Sequence, residues 1–201
     1  AGTLTVNGGT IEGTSGIEAK AGTTNVTIEG NPTIKATGDV ADPSGNTNGT
    51  STSGYAVVMV NNGAYAGGAK ATLEGGTYIG AVGVVNDKSN ETPDEENKKG
   101  SLLVKGGNYS VSVDKEYLDG SLTAELKKNS GEAPYSYYTS VENAIAAASA
   151  NDTVTDLTAA ASDDTCTVTL NYNDEKTPKV EYPGYTADNN SFEFPTASRI
   201  G

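Results

Sequence analysis

The chain has 201 residues, 35% of them hydrophobic, with 25 glycines, no histidine and a formal net charge of −13. Its one arginine is Arg199, so the clustered cations needed to grip nucleic acid or an anionic membrane surface are missing. The lack of histidine removes the commonest general base and metal ligand, and no apolar window is long enough to span a bilayer.

A phrase recurs along the first half. LTVNGGTIEG runs from Leu4 to Gly13 and VTIEGNPTIKATG from Val26 to Gly38. ATLEGGTYIGAVGVVND then runs from Ala71 to Asp87 and LLVKGGNYSVSV from Leu102 to Val113. Each passes from an apolar residue through a polar one (Asn7, Glu29, Glu74, Lys105) to Gly, then to Gly or Asn. The Ala71 to Asp87 copy reads as short strands parted by a Glu-Gly-Gly turn and a one-glycine corner at Gly80. The first turn glycines are Gly8, Gly30, Gly75 and Gly106, at spacings of 22, 45 and 31 residues. The excess over 22 falls in two polar stretches, 38–54 and 87–100, which read as loops extruded from a repeating core.

A period in the twenties with strands and tight turns predicts a right-handed parallel β-helix of four to five coils over residues 1–113. A β-sandwich is the alternative, since it also uses short strands and glycine-rich turns. Sandwich strands have no reason to resemble one another in sequence, and these do. The expected inward residues are Leu4, Val6, Ile11, Ile17, Val26, Ile28, Ile34, Val58, Val60, Leu73, Val82, Val84, Leu103 and Val111. Burying each contributes roughly 1.5–3 kcal/mol, against about 1–2 kcal/mol to order each residue's backbone. A coil alone therefore does not hold, and stability needs neighbours.

Residues 114–160 are expected to close this region. Thr139, with Glu142 three residues on, fits a capping box for a helix over about 140–149. Val141, Ala144, Ile145 and Ala148 share its small apolar face, and Thr153 to Leu157 alternates as a strand. From residue 161 the texture changes to CTVTLNYND, TPKVEYPGYT and SFEFP, which read as a small β module. The single Cys166 has no internal disulfide partner and reads as a buried strand residue. The first residue already lies inside a repeat phrase with no leader ahead of it, so the chain is expected to be a mature piece of a longer protein with flanking modules.

Three stretches resemble segments of large surface proteins of gut Gram-positive bacteria. GGNYSVSVDKEYLDG (Gly106 to Gly120) is similar to a phrase that closes β-helical regions there. YYTSVENAIAAASANDTVTDL (Tyr137 to Leu157) resembles a helix-and-strand segment that opens a further one. VTLNYND, PGYT and FPTASRIG (within Val168 to Gly201) resemble the first half of the Listeria–Bacteroides repeat, a β-grasp-like module. The chain stops before that module's aromatic-rich strand, and it shows no wall-sorting motif. The resemblance implies an exported, extracellular, cell-surface protein of adhesin type, with host glycan or a host surface protein as partner.

Candidate chemistry is sparse. Tyr65, Tyr78 and Tyr109 follow the turn phrase at like offsets, so a tyrosine ladder stacking on sugar rings is one expectation. A ladder stacked between coils is the other. Asp87, Asp94, Glu95 and Glu96 crowd one loop and offer oxygen ligands for calcium, but match no known calcium-loop spacing. Lys98 and Lys99 beside them favour a charged surface loop, so no cofactor is expected beyond that calcium option. Asp114 with Glu116, or Asp163 with Asp164, would be needed as the paired carboxylates of a polysaccharide-cleaving enzyme. Adjacent acids in so acidic a chain are ordinarily solvated. The reading is a non-catalytic surface segment that binds glycan or protein, or presents a binding region. The alternatives are a β-helical polysaccharide lyase or glycoside hydrolase, and a pure spacer.

Overall fold

The computed structural model describes residues 2–20, 22–43, 52–61, 67–87, 99–158, 167–169, 171–172 and 178–179. The fold is mostly β-sheet with one short α-helix.

The chain visits three sheets in turn. It runs through β1 (Gly2–Val6), β2 (Thr10–Gly13) and β3 (Ile17–Lys20), then β4 (Thr24–Ile28), β5 (Thr33–Ala36) and β6 (Tyr55–Asn61). It continues through β7 (Lys70–Leu73), β8 (Thr77–Ile79), β9 (Ala81–Asn86), β10 (Ser101–Val104) and β11 (Asn108–Tyr109). Every third strand returns to the same sheet, giving the orders β1-β4-β7-β10, β2-β5-β8-β11 and β3-β6-β9. All these pairings are parallel, where the hairpins of a sandwich would pair strands antiparallel. Along the first sheet Thr3 pairs with Asn25, Asn25 with Lys70 and Lys70 with Ser101. The phrase spacings read in the sequence are therefore the pairing offsets of this sheet.

The turns after the first-sheet strands stack on one another. Glu29 N–H donates to Val6 O, Glu74 N–H to Ile28 O and Lys105 N–H to Leu73 O. Gly30, Gly75 and Gly106, the first glycines of the later turns, each pack against the turn before. A Cβ on Gly75 would lie 2.5 Å from Gly30 O, so only glycine fits there.

Side chains from all three sheets fill one core, including Val6, Val26, Ile28, Ile34, Ala56, Val57, Met59, Leu73, Leu102, Val104 and Tyr109. Five of the expected inward residues are placed differently. Leu4 is 40% exposed, on a strand that has a partner on one side only among the described residues. Leu103 points outward, and its neighbours Leu102 and Val104 face inward; two adjacent leucines left the alternation ambiguous by one residue. Val111 is half exposed, past the end of β11. Val58 and Val60 are fully buried, but with Tyr55 in a separate cluster outside the third sheet. In that sheet β6 is buried on both faces, which explains its continuous apolar run.

After β11 the pairing changes direction. β13 (Tyr135–Tyr138) pairs antiparallel with β11, β12 (Ala124–Lys127) with β13, and β14 (Thr153–Asp156) with β12. Helix α1 (Val141–Ala147) lays Val141, Ala144, Ile145 and Ala148 against these strands, around Ala124, Leu126 and Val154. Its cap is Ser140, whose hydroxyl accepts from Asn143 N–H, so the expected Thr139 cap is displaced by one residue. Thr139 instead accepts from the Asn143 side chain. Farther on, β15 (Thr167–Thr169) pairs antiparallel with β14, and β16 (Asn171–Tyr172) pairs with β17 (Pro178–Lys179). The first strand of the expected C-terminal module thus extends the closing sheet. Cys166 lies outside the described residues. Among the described residues no helix is long and apolar enough to cross a membrane.

Candidate functional site

The tyrosine ladder exists, but inside the core. Ile11, Ile34, Tyr78 and Tyr109 occupy one inward row of the second sheet. Both tyrosines are wholly buried, stacked at 4.8 Å between ring centroids and 10° between planes. Each hydroxyl donates to the carbonyl three residues back, Tyr78 to Gly75 O and Tyr109 to Gly106 O, both at 2.6 Å. The turn that precedes each ring supplies the acceptor its buried hydroxyl needs. Neither ring offers a face to a sugar, which corrects the expectation of a glycan platform at Tyr78 and Tyr109. Tyr65 lies outside the described residues.

Burial pushes the hydroxyls of Tyr78, Tyr109 and Tyr137 well above the ordinary tyrosine range. Burial, and then the bond to the Asp42 carboxylate, raises Tyr55 to about 12. The folded chain thus keeps these protons at pH values where the unfolded chain, titrating near pH 10, has begun to lose them. Stability from these groups is complete below about pH 10 and is lost as the pH climbs toward the folded values. Melting temperature is expected to hold steady from neutral pH to about pH 9 and to fall steeply above pH 10. Thermal melts across this range, followed by circular dichroism, check it. In Tyr78→Phe/Tyr109→Phe the alkaline fall should be shallower.

The loop acids divide. Asp87 is fully buried, its carboxylate 2.8 Å from Lys20 Nζ across the third sheet, so it serves an ion pair within the fold. Asp94, Glu95 and Glu96 lie outside the described residues. Among the described residues no three acids, cysteines or histidines gather in a metal-binding group. The two long connections leave the third sheet at opposite strand ends, one entering β6 and the other following β9. Parts of both lie outside the described residues.

The paired acids are also local in their bonding. Asp114 caps the 3-10 turn Lys115–Tyr117 and accepts from Glu116 N–H. Asp163 and Asp164 lie outside the described residues. A polar group joins β12 and β13 to the end of the parallel stack. Tyr137 OH accepts from Val113 N–H at 2.6 Å and donates to Glu125 at 3.0 Å, and Ser112 donates to the same carboxylate. Each donor there already has its acceptor, so the group serves as a clasp.

What remains is the outer face of β1-β4-β7-β10. Alternation turns Thr3 and Thr5, Asn25 and Thr27, Lys70 and Thr72, and Ser101 and Leu103 outward. Parallel pairing sets them in two rows, Thr3-Asn25-Lys70-Ser101 and Thr5-Thr27-Thr72-Leu103. Rungs recur at about 4.8 Å across strands and about 6.7 Å along them. The chain holds 26 acidic residues, yet none of these eight positions carries one. The acids stand at the rim, at Glu29 and at Glu74, which pairs with Lys105 at 3.2 Å. Reading the tyrosines as the surface ladder overlooked these rows. Their signal was in the repeated phrase, two and four residues before each polar turn residue.

Comparison with protein-family models, with curated proteins and with solved structures gave no match.

Proposed function

We propose that residues 2–113 form a right-handed parallel β-helix, a rigid and non-catalytic segment of an extracellular bacterial surface protein, and that its carboxylate-free face binds an uncharged glycan. The strand order, the stacked turns and the shared core support the helix. The right hand follows from the usual handedness of parallel crossovers. The observation that carries the binding reading is the exclusion of acids from one flat face of a strongly acidic chain. The face carries one charge, Lys70, where a charged polymer would call for several of the opposite sign. A neutral polyhydroxylated chain calls for rows of hydroxyl and amide groups, each both donor and acceptor or offering both, and the two outward rows provide them. Leu103 adds an apolar contact at one end.

The test is binding of the purified chain to an array of neutral and acidic glycans, with and without calcium, assaying the same samples for released reducing ends. Saturable binding to neutral glycans without release is expected. Thr27→Glu/Thr72→Glu should weaken it at least tenfold, and Thr33→Glu/Thr77→Glu on the neighbouring sheet should leave it unchanged. Release of sugar would overturn the reading in favour of a β-helical enzyme. Binding that survives the first variant would move the site elsewhere, and no binding to any glycan would leave a spacer.

A further inference from the structure

The outward residues of the first sheet differ in what they offer a ligand. The hydroxyls of Thr27, Thr72 and Ser101 both donate and accept, and the Asn25 amide presents groups of both kinds. Lys70 alone donates without accepting. It is exposed in the middle of its row, with Asn25 on one side and Ser101 on the other. Elsewhere Lys20 holds Asp87, Lys35 holds Glu12, Lys105 holds Glu74, Lys115 donates to Leu157 O, and Lys127 lies over the Tyr135 ring. Among the described residues Lys70 has no such partner. Glu74, the acid nearest to it along the chain, is taken by Lys105. A cation held in the open on a face without carboxylates is a donor kept for a ligand.

We infer that Lys70 sets the ligand class of this face, and that the class is an N-acetylated amino sugar whose acetamido carbonyl accepts from the Lys70 ammonium. The inference rests on the glycan reading above and sharpens it. A hydroxyl meets the threonine, serine and asparagine positions equally well as donor or acceptor. A carbonyl only accepts, so it suits the one position that only donates, and the bond gains from the charge on the donor. The acetyl methyl has apolar company on the same face. Thr72 follows Lys70 by two residues on β7, so its methyl lies next along the strand, and Leu103 stands in register with Thr72 on β10. A sugar with a free amine is disfavoured, because its ammonium would face that of Lys70. A polymer with an acid on every sugar would find one cation for several charges, with Glu29 and Glu74 at the rim against it.

Titration calorimetry of the purified chain at mildly acidic pH tests it with three oligosaccharides of equal length and linkage, built from glucose, N-acetylglucosamine and glucosamine. The N-acetylglucosamine oligomer is expected to bind at least tenfold tighter than the glucose oligomer, and the glucosamine oligomer weakest. Lys70→Met keeps an apolar stem and removes the charge, and it should bring the N-acetylglucosamine and glucose oligomers level. Its thermal melt should match that of the parent, since the side chain is exposed. Thr27→Glu/Thr72→Glu separates this inference from the reading beneath it. If the parent holds the glucose and N-acetylglucosamine oligomers equally and that variant loses both, the face binds glycan and the role of Lys70 is overturned. A preference for the N-acetylated oligomer that survives Lys70→Met overturns it too. Binding to none of the three overturns the inference, and with silence across the whole glycan array the reading beneath it falls as well.

Discussion

Replacing Tyr109 with alanine is expected to lower the unfolding free energy by about 3–5 kcal/mol, the cost of removing a large side chain from a closed core. The ring is fully buried, stacked on Tyr78 at 4.8 Å and met edge-on by Tyr137 at 5.8 Å. Tyr109→Phe keeps the volume and loses the bond to Gly106 O, so its cost is expected to be about 1–2 kcal/mol. Urea unfolding at constant slope measures both. The comparison separates two roles for the same residue. A tyrosine that stacked on a ligand would be nearly neutral for stability when truncated, and the damage would appear in binding. A loss below about 1 kcal/mol in Tyr109→Ala would contradict the buried placement, given the usual cost of such a cavity.

Gly80→Ala is the second large effect, and its cause is backbone. Gly80 has φ +119°, a conformation closed to side-chain-bearing residues at low energy. A Cβ there would also lie 2.7 Å from Gly54 O and 2.8 Å from the Ala36 Cβ. Neither neighbour is the free end of a flexible chain. Strain of about 1–3 kcal/mol adds to overpacking of about 1–3 kcal/mol, so the expected loss is about 2–6 kcal/mol. Gly120→Ala is the control: nothing lies within 4 Å of its Cβ, and a change within about 0.5 kcal/mol is expected. Equal melting of the two variants would show that the corner at Gly80 is not held as described.

The corner at Gly80 was legible as a corner because a lone glycine interrupts two apolar strands. The severity of the site was not, since it comes from Gly54 and Ala36, which neighbour it only through stacking. The inward rows were legible wherever apolar and polar residues alternate cleanly, as at Val26 and Ile28. They were misread at Leu103, where Leu102 breaks the alternation, and at Leu4, whose strand pairs on one side only among the described residues. The cap of α1 shifted from Thr139 to Ser140 because two adjacent hydroxyl residues both suit an N-cap, and only the position of the first helical turn chooses between them.

Taken by itself, the amino-acid sequence determined the β-rich class, the strand-and-turn phrase and the pairing offsets of 22, 45 and 31 residues. Those features rest on local rules: alternation sets which side chains share a face, and glycine sets where the backbone turns. Only the tertiary structure decided what each face meets. It put Tyr78 and Tyr109 inside, because the turn carbonyls three residues back accept their hydroxyl bonds. It buried Asp87 against Lys20, residues that lie far apart in the chain and meet only across the third sheet. It gathered Thr5, Thr27 and Thr72 into one row, because parallel stacking repeats each position strand upon strand.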